Sequence, residues 1–295
     1  MAQNFYAYGC MQDSVYTTVV LRQWSEFKKF TEDLSENWAF RGQRNAGWEL
    51  MNAIERTDFI KLYNGIEADF LSEFQRGARN YLTKDQLPEH LIEWLALMQH
   101  HGAPTRLLDF SKSPFIAAFF AFEVCGGQED RHIAVWAINV NFLKLRSTEI
   151  LSAHFSKELE AANHLVNEAL FEKIFLANQF RLIFPVEPFR MNRRYSLQQS
   201  IFVSTGNSYE PFMQQLQFLG DEIGKAVIKI ELPASLQKEV LRDLQRMNLN
   251  RASLFPDLDG YAAALRLRYN SMKSPEESMM HQLQKLEDSN FKFIP

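Results

Sequence analysis

His100–Phe110 reads His-His-Gly-Ala-Pro-Thr-Arg-Leu-Leu-Asp-Phe, and the architecture can be worked outward from it. Gly102 and Pro104 punctuate a turn. Thr105 to Phe110 then fits a short strand. Ser113-Pro114 reads as a helix start, because proline at the first turn gives up only a donor that has no partner there. That helix is expected to run to about Glu123, and its Ala117-Ala118 pair allows close packing against a sheet. On the other side of the turn, Leu91, Trp94, Leu95 and Met98 share a helical face over 89–99. Helix, turn, strand and helix thus follow one another without a linker.

The same alternation holds along the chain. Strands are expected at 15–21, 38–43, 133–140, 182–186, 200–204 and 226–232, of which Ile133–Val140 is the clearest buried one. Helices are expected at 25–35 (capped by Ser25), 59–82, 147–173, 234–247 and 261–269, with Asp257 or Asp259 capping the last. The pattern predicts an α+β fold: a mixed, short-stranded central sheet with helical insertions. No repeat and no Gly/Ser/Pro-rich linker appears. One domain is therefore expected over 1–270, followed by a polar tail over 271–295.

Composition narrows the function. The 295 residues carry 32 Lys+Arg against 36 Asp+Glu, a net charge of -4, which is not that of a basic nucleic-acid coat. Hydrophobic residues make up 46%, enough to fold, and the 25 phenylalanines point to an aromatic core. Cys10 and Cys125 form no CxxC and suit two reduced thiols. The N-terminus lacks the charged start and apolar run of a signal peptide, and no apolar run spans a bilayer, so a cytoplasmic location is expected. The phosphate-loop, dinucleotide, serine-hydrolase and HExxH motifs are absent.

Three clusters carry polar residues that a plain core does not require. In Phe40-Arg41-Gly42-Gln43, an arginine beside a glycine suits bidentate capture of a phosphate or sugar edge, with the glycine permitting close approach. The alternative is an Arg41 paired with a core carboxylate such as Asp109. His100 and His101 point different ways, so one of them faces any given site; it serves as acid, base or donor, or simply holds the turn. No metal site is expected. Arg106 and Asp109 are expected to pair inside the fold. Gln198 and Gln199 stand at the entrance of a strand, where an amide both donates and accepts, with Arg193 and Arg194 upstream to favour an anion. Arg41, one of the two histidines, Asp109, Ser111 and one of the two glutamines are predicted to converge on one cleft.

These clusters, in this order, resemble the FRG domain family, named for its Phe-Arg-Gly motif. The resemblance runs from Phe40-Arg41-Gly42-Gln43 through His100–Phe110 and Ser113-Pro114 to Gln198-Gln199, Phe202 and Leu254–Gly260, over roughly 20–268. Ser200 stands where the family usually has glycine. The family is bacterial and viral, and the resemblance implies a phage-defence or toxin-like setting. The element order is also similar, more remotely, to ADP-ribosyltransferases. That similarity implies NAD as ligand, with Arg41 on phosphate or ribose, His101 on the diphosphate or nicotinamide ribose, Ser111 leading into a helix, and Gln198 on a ribose hydroxyl. Gly42, Gln43, His100, Asp109 and Gln199 complete the implied binding set. A neutral glutamine replaces the usual glutamate, so the family's negative charge is missing there. The expected activity is transfer or hydrolysis of ADP-ribose toward a protein or nucleic-acid target. The alternative is a non-catalytic module that senses a nucleotide, a nucleic acid or a phage protein; a nuclease would need an acidic metal-binding cluster, which is not apparent.

Overall fold

The computed structural model describes residues 11–12, 15–34, 36–58, 61, 63, 65–128, 130–161, 166–190 and 192–270. The chain forms two compact units, Met1–Leu249 and Asn250–Pro295. The expected tail over 271–295 lies outside the described residues, as does Cys10.

The first unit is built on one eight-stranded sheet. From edge to edge it runs β1 (Met11–Gln12), β2 (Thr17–Val20), β8 (Val227–Pro233), β5 (His132–Asn139), β3 (Trp38–Gln43), β4 (Leu107–Ser111), β7 (Ser200–Thr205) and β6 (Ile183–Val186). β2 and β8 are parallel and the other described pairings antiparallel, so the sheet is mixed, as the sequence pattern predicts. β5 lies near the middle, and Ile133 to Ile138 are all buried; a strand covered on both faces needs a continuous apolar run rather than alternation. β6 tolerates Pro185 because it lies at an edge, where a missing donor breaks no ladder.

The helices of this unit are α1 (Trp24–Glu32), α2 (Ala53–Arg56), α3 (Ile66–Ala78), α4 (Leu91–His100), α5 (Pro114–Phe122), α6 (Val140–Ala161), α7 (Glu168–Ala177), α8 (Arg193–Leu197), α9 (Phe212–Gln217), α10 (Ile223–Ala226) and α11 (Gln237–Arg246). α5 starts where Ser113-Pro114 predicts, with the Ser113 hydroxyl accepting from Ile116 N at 3.4 Å. Several boundaries differ from expectation. Gln23, not Ser25, caps α1. Of the helix expected over 59–82, the described residues form α3. The one expected over 147–173 is two helices, α6 from Val140 and α7 from the Asn167 cap. In the second unit, α12 (Arg251–Leu254) precedes α13 (Leu258–Asn270), and the Asp257 carboxylate accepts from Gly260 N at 2.6 Å, so Asp257 makes the expected cap.

Two features of β3 shape the middle of the sheet. The first is its fit to α5. A Cβ on Gly42 would lie 1.9 Å from the Ala117 carbonyl oxygen and 2.7 Å from Ala121 N, so only glycine lets helix and strand lie this close. The second is a seam. β3 pairs with β5 at six positions, and β4 with β7 at five, yet β3 and β4 meet at one, Phe40 opposite Ser111.

The Arg106–Asp109 ion pair expected from the sequence does not form. Arg106 is 2% exposed, and its Nη2 and Nε lie 2.6 and 2.8 Å from Oε2 of Glu67 on α3. The backbone N–H of Arg106 donates to Oε1 of the same carboxylate at 2.9 Å, and its guanidinium lies over the Phe175 ring at 4.2 Å. Glu67 thereby accepts from the strand as well as the side chain, which satisfies a buried charge more completely than a neighbour on the same strand can. No helix among the described residues is long and apolar enough to cross a membrane.

Candidate functional site

Past the Phe40–Ser111 pair the seam opens into a cleft of about 280 Å³, close to the lower end of the ~300–1,000 Å³ typical of small-molecule sites. β3 contributes Phe40, Arg41 and Gly42, and β4 contributes Asp109, Phe110 and Ser111. α5 supplies Ala117 and Phe120, α4 supplies Gln99 and His100, and Arg194, Tyr195, Gln198 and Ser200 come from α8 and the start of β7. The cleft therefore draws on segments far apart in sequence that only the sheet brings together.

Arg41 is the centre of its electrostatics. Its Nη1 donates to the Asp109 backbone carbonyl at 2.7 Å, while its Nε is buried and has no hydrogen-bond partner. Among the described residues its guanidinium forms no ion pair. Side chains alternate along a strand, so Arg41 leaves β3 on the face opposite Phe40, whereas Asp109 leaves β4 on the face of Ser111, the partner of Phe40. The two charged ends thus start from opposite faces, and the arginine meets the strand's carbonyl instead of the carboxylate. Burial pushes the guanidinium below its ordinary value; the Asp109 charge opposes this and Arg56 adds to it. Arg56, at the end of α2, gave no signal in the sequence because it lies outside every motif.

The remaining candidates divide. Asp109 is the carboxylate of the cleft lining, and its side chain makes no hydrogen bond or ion pair with the described residues. The Ser111 hydroxyl donates to the Gln198 carbonyl at 2.8 Å and accepts from Ser113 N at 3.1 Å, so its proton is held by a carbonyl rather than by a base. Gln198 lines the cleft and is 8% exposed, whereas Gln199 turns outward in the left-handed region at φ 48° and uses its carbonyl to accept from Lys112 N at 2.9 Å. His100 lines the cleft. His101 is exposed at the C-cap of α4, its ring edge-on to His100 at 4.8 Å, and does not line it. Gln43 also lies outside the lining; its amide accepts from Trp136 Nε1 at 2.8 Å and donates to the Glu49 carbonyl at 3.0 Å. Gly42 lies in the lining, but the close approach its missing side chain permits is that of α5.

Tyr195 was not singled out by its sequence, yet it is a wall of the cleft. Its hydroxyl donates to the Ala96 carbonyl on α4. Burial, and then the Asp109 charge, hold its ionisation well above the ordinary tyrosine range, against the pull of Arg194. The lining thus combines two guanidinium groups, one carboxylate and aromatic walls. Among the described residues no group of three or more His, Cys, Asp or Glu is placed to hold a metal ion.

Residues 36–130 match the family model of the FRG domain. The chain carries an FRG domain. The match is shorter than the span the motifs suggest, but it contains both lips of the seam together with α4 and α5. The FRG domain model therefore covers Arg41, His100, Asp109 and Ser111, while Arg194, Tyr195 and Gln198 complete the cleft from beyond it. No curated protein and no solved structure matches the chain.

Proposed function

We propose that the cleft of the FRG domain binds an anionic nucleotide, with NAD as the ligand and transfer or hydrolysis of its ADP-ribose as the reaction. The observation that carries this reading is Arg41: a half-buried arginine whose Nε is buried and without a hydrogen-bond partner, in a cleft that also holds Arg194 and a carboxylate without a partner among the described residues. A buried cation with an unused donor is costly unless a ligand supplies the acceptor. Arg41 and Arg194 would oppose the phosphates. Asp109 would accept from a ribose hydroxyl and place negative charge beside the ribose, which supports positive charge developing there and makes good the charge a glutamine lacks. NAD supplies a nicotinamide–ribose bond that breaks under such charge. The phage-defence or toxin-like setting, and a protein or nucleic-acid acceptor, rest on the resemblance alone.

The test is to incubate the protein with NAD and follow nicotinamide release, alongside ADP-ribose binding by calorimetry. Release by the wild type and its loss in Asp109→Asn is the expected result. Absence of both release and nucleotide binding overturns the reading. A second reading is a non-catalytic sensor using the same cleft. The Ser111 hydroxyl favours it, since that side chain is committed to the backbone and is no activated nucleophile. Tight ADP-ribose binding without release in the presence of candidate acceptors would select it.

A further inference from the structure

We infer that a second cavity, between α6 and the adjoining ends of β6 and β7, binds a free α-amino acid with a branched aliphatic side chain, its carboxylate answered by Lys144 and its ammonium by Glu187. The cavity measures about 170 Å³, the liquid share of roughly six water molecules at ~30 Å³ each, which suits one small molecule and is too little for a nucleotide. None of its lining residues lines the Arg41 cleft. Lys144, Ser147 and Thr148 form its roof; they lie three and four residues apart and so share one face of α6. Its floor follows from the β6–β7 ladder, which sets Pro185 opposite Val203 and Val186 opposite Phe202. Continued by one residue, that register brings Glu187 beside Ile201, and alternation puts Pro185, Glu187 and Ile201 on one side of the sheet.

The lining holds an ammonium and a carboxylate that are not spent on each other. Glu187 Oε2 accepts at 2.8 Å from Lys112, a lysine outside the lining, which leaves Oε1 for another donor. Lys144 is half-buried and forms no ion pair among the described residues. The Ser147 hydroxyl is 1% exposed and donates to the Leu143 carbonyl at 2.7 Å, so toward the cavity it can only accept. Val166, Pro185, Val186 and Ile201 supply apolar surface. A bare anion would meet the charge of Glu187, and a bare cation that of Lys144. An uncharged apolar molecule would strip water from both and return no partner, which is costly. A zwitterion answers each charge with its opposite. In an α-amino acid both charged groups leave one carbon, and the side chain remains for the apolar wall.

The experiment is calorimetric titration of the full chain with leucine and three relatives that each lack one part of it: isocaproate without the ammonium, isoamylamine without the carboxylate, and glycine without the side chain. Leucine should bind saturably, and each relative at least about tenfold more weakly, as loss of a charge-assisted hydrogen bond or of apolar burial implies. Lys144→Met should weaken leucine about tenfold without weakening isoamylamine, and Glu187→Gln should weaken leucine as much without weakening isocaproate. Melting temperatures show whether the variants fold; if either does not, the four probes on the wild type decide alone. The inference fails if leucine does not bind at millimolar concentration, or if a single-charge relative binds as tightly as leucine. It fails equally if both variants fold and bind leucine like the wild type.

Discussion

Arg41 lies half-buried on β3 and Arg106 fully buried just before β4, and their surroundings assign them opposite work. Arg106 meets a full set of acceptors on Glu67 and a ring face, so it is a tie between α3 and β4. Arg106→Ala leaves a carboxylate that is 4% exposed without its partner, and removal of one member of a buried pair costs about 3–5 kcal/mol. Urea unfolding should show that loss. Arg41→Ala removes one hydrogen bond but also a charge that burial already disfavours. Its unfolding midpoint should move much less, while any shift in melting temperature produced by ADP-ribose disappears. The reverse ranking of the two variants would make Arg41 scaffold and Arg106 the ligand group. These roles are only partly legible in the sequence. Asp109 looks like the natural partner of Arg106 because it lies three residues away, and nothing local marks Glu67, 39 residues distant.

At the scale of elements, β3 against α5 is the contact least able to absorb change. A methyl group at Gly42 runs into the backbone of Ala117 and Ala121, not into a side chain that could swing aside. Gly42→Ala should therefore destabilise by at least the ~1–3 kcal/mol typical of overpacking, read as a lowered melting temperature. The glycine is visible in the sequence, but its reason is not: the motif suggests an approaching ligand, and α5 occupies that space. α5 itself is legible because Ser113-Pro114 and an apolar run fix its start and length. α8 is not. It is five residues long with Tyr195 as its one buried side chain, too short for any periodicity to register. The wall it contributes to the cleft is lost with it.

Over the whole molecule, alkaline stability should depend on Tyr195. Its ionisation is raised in the folded state, so its contribution is full below the unfolded value of about 10 and falls as pH rises beyond it. Tyr195→Phe should flatten that limb of a stability-against-pH curve, and an unchanged limb would place the titration elsewhere. The mixed sheet is predictable because each strand carries its own apolar signal. The seam is not, since Trp38–Gln43 and Leu107–Ser111 each read as an ordinary strand and the gap belongs to neither alone. That gap divides the sheet into five strands ending at β3 and three beginning at β4, joined edge to edge at Phe40 and Ser111. Amide hydrogen exchange should then resolve two cooperative opening units instead of one, with β4, β7 and β6 losing protection together and apart from β5 and β8. A ligand lodged across the gap would merge their exchange rates, coupling two halves that the polypeptide leaves free to breathe separately.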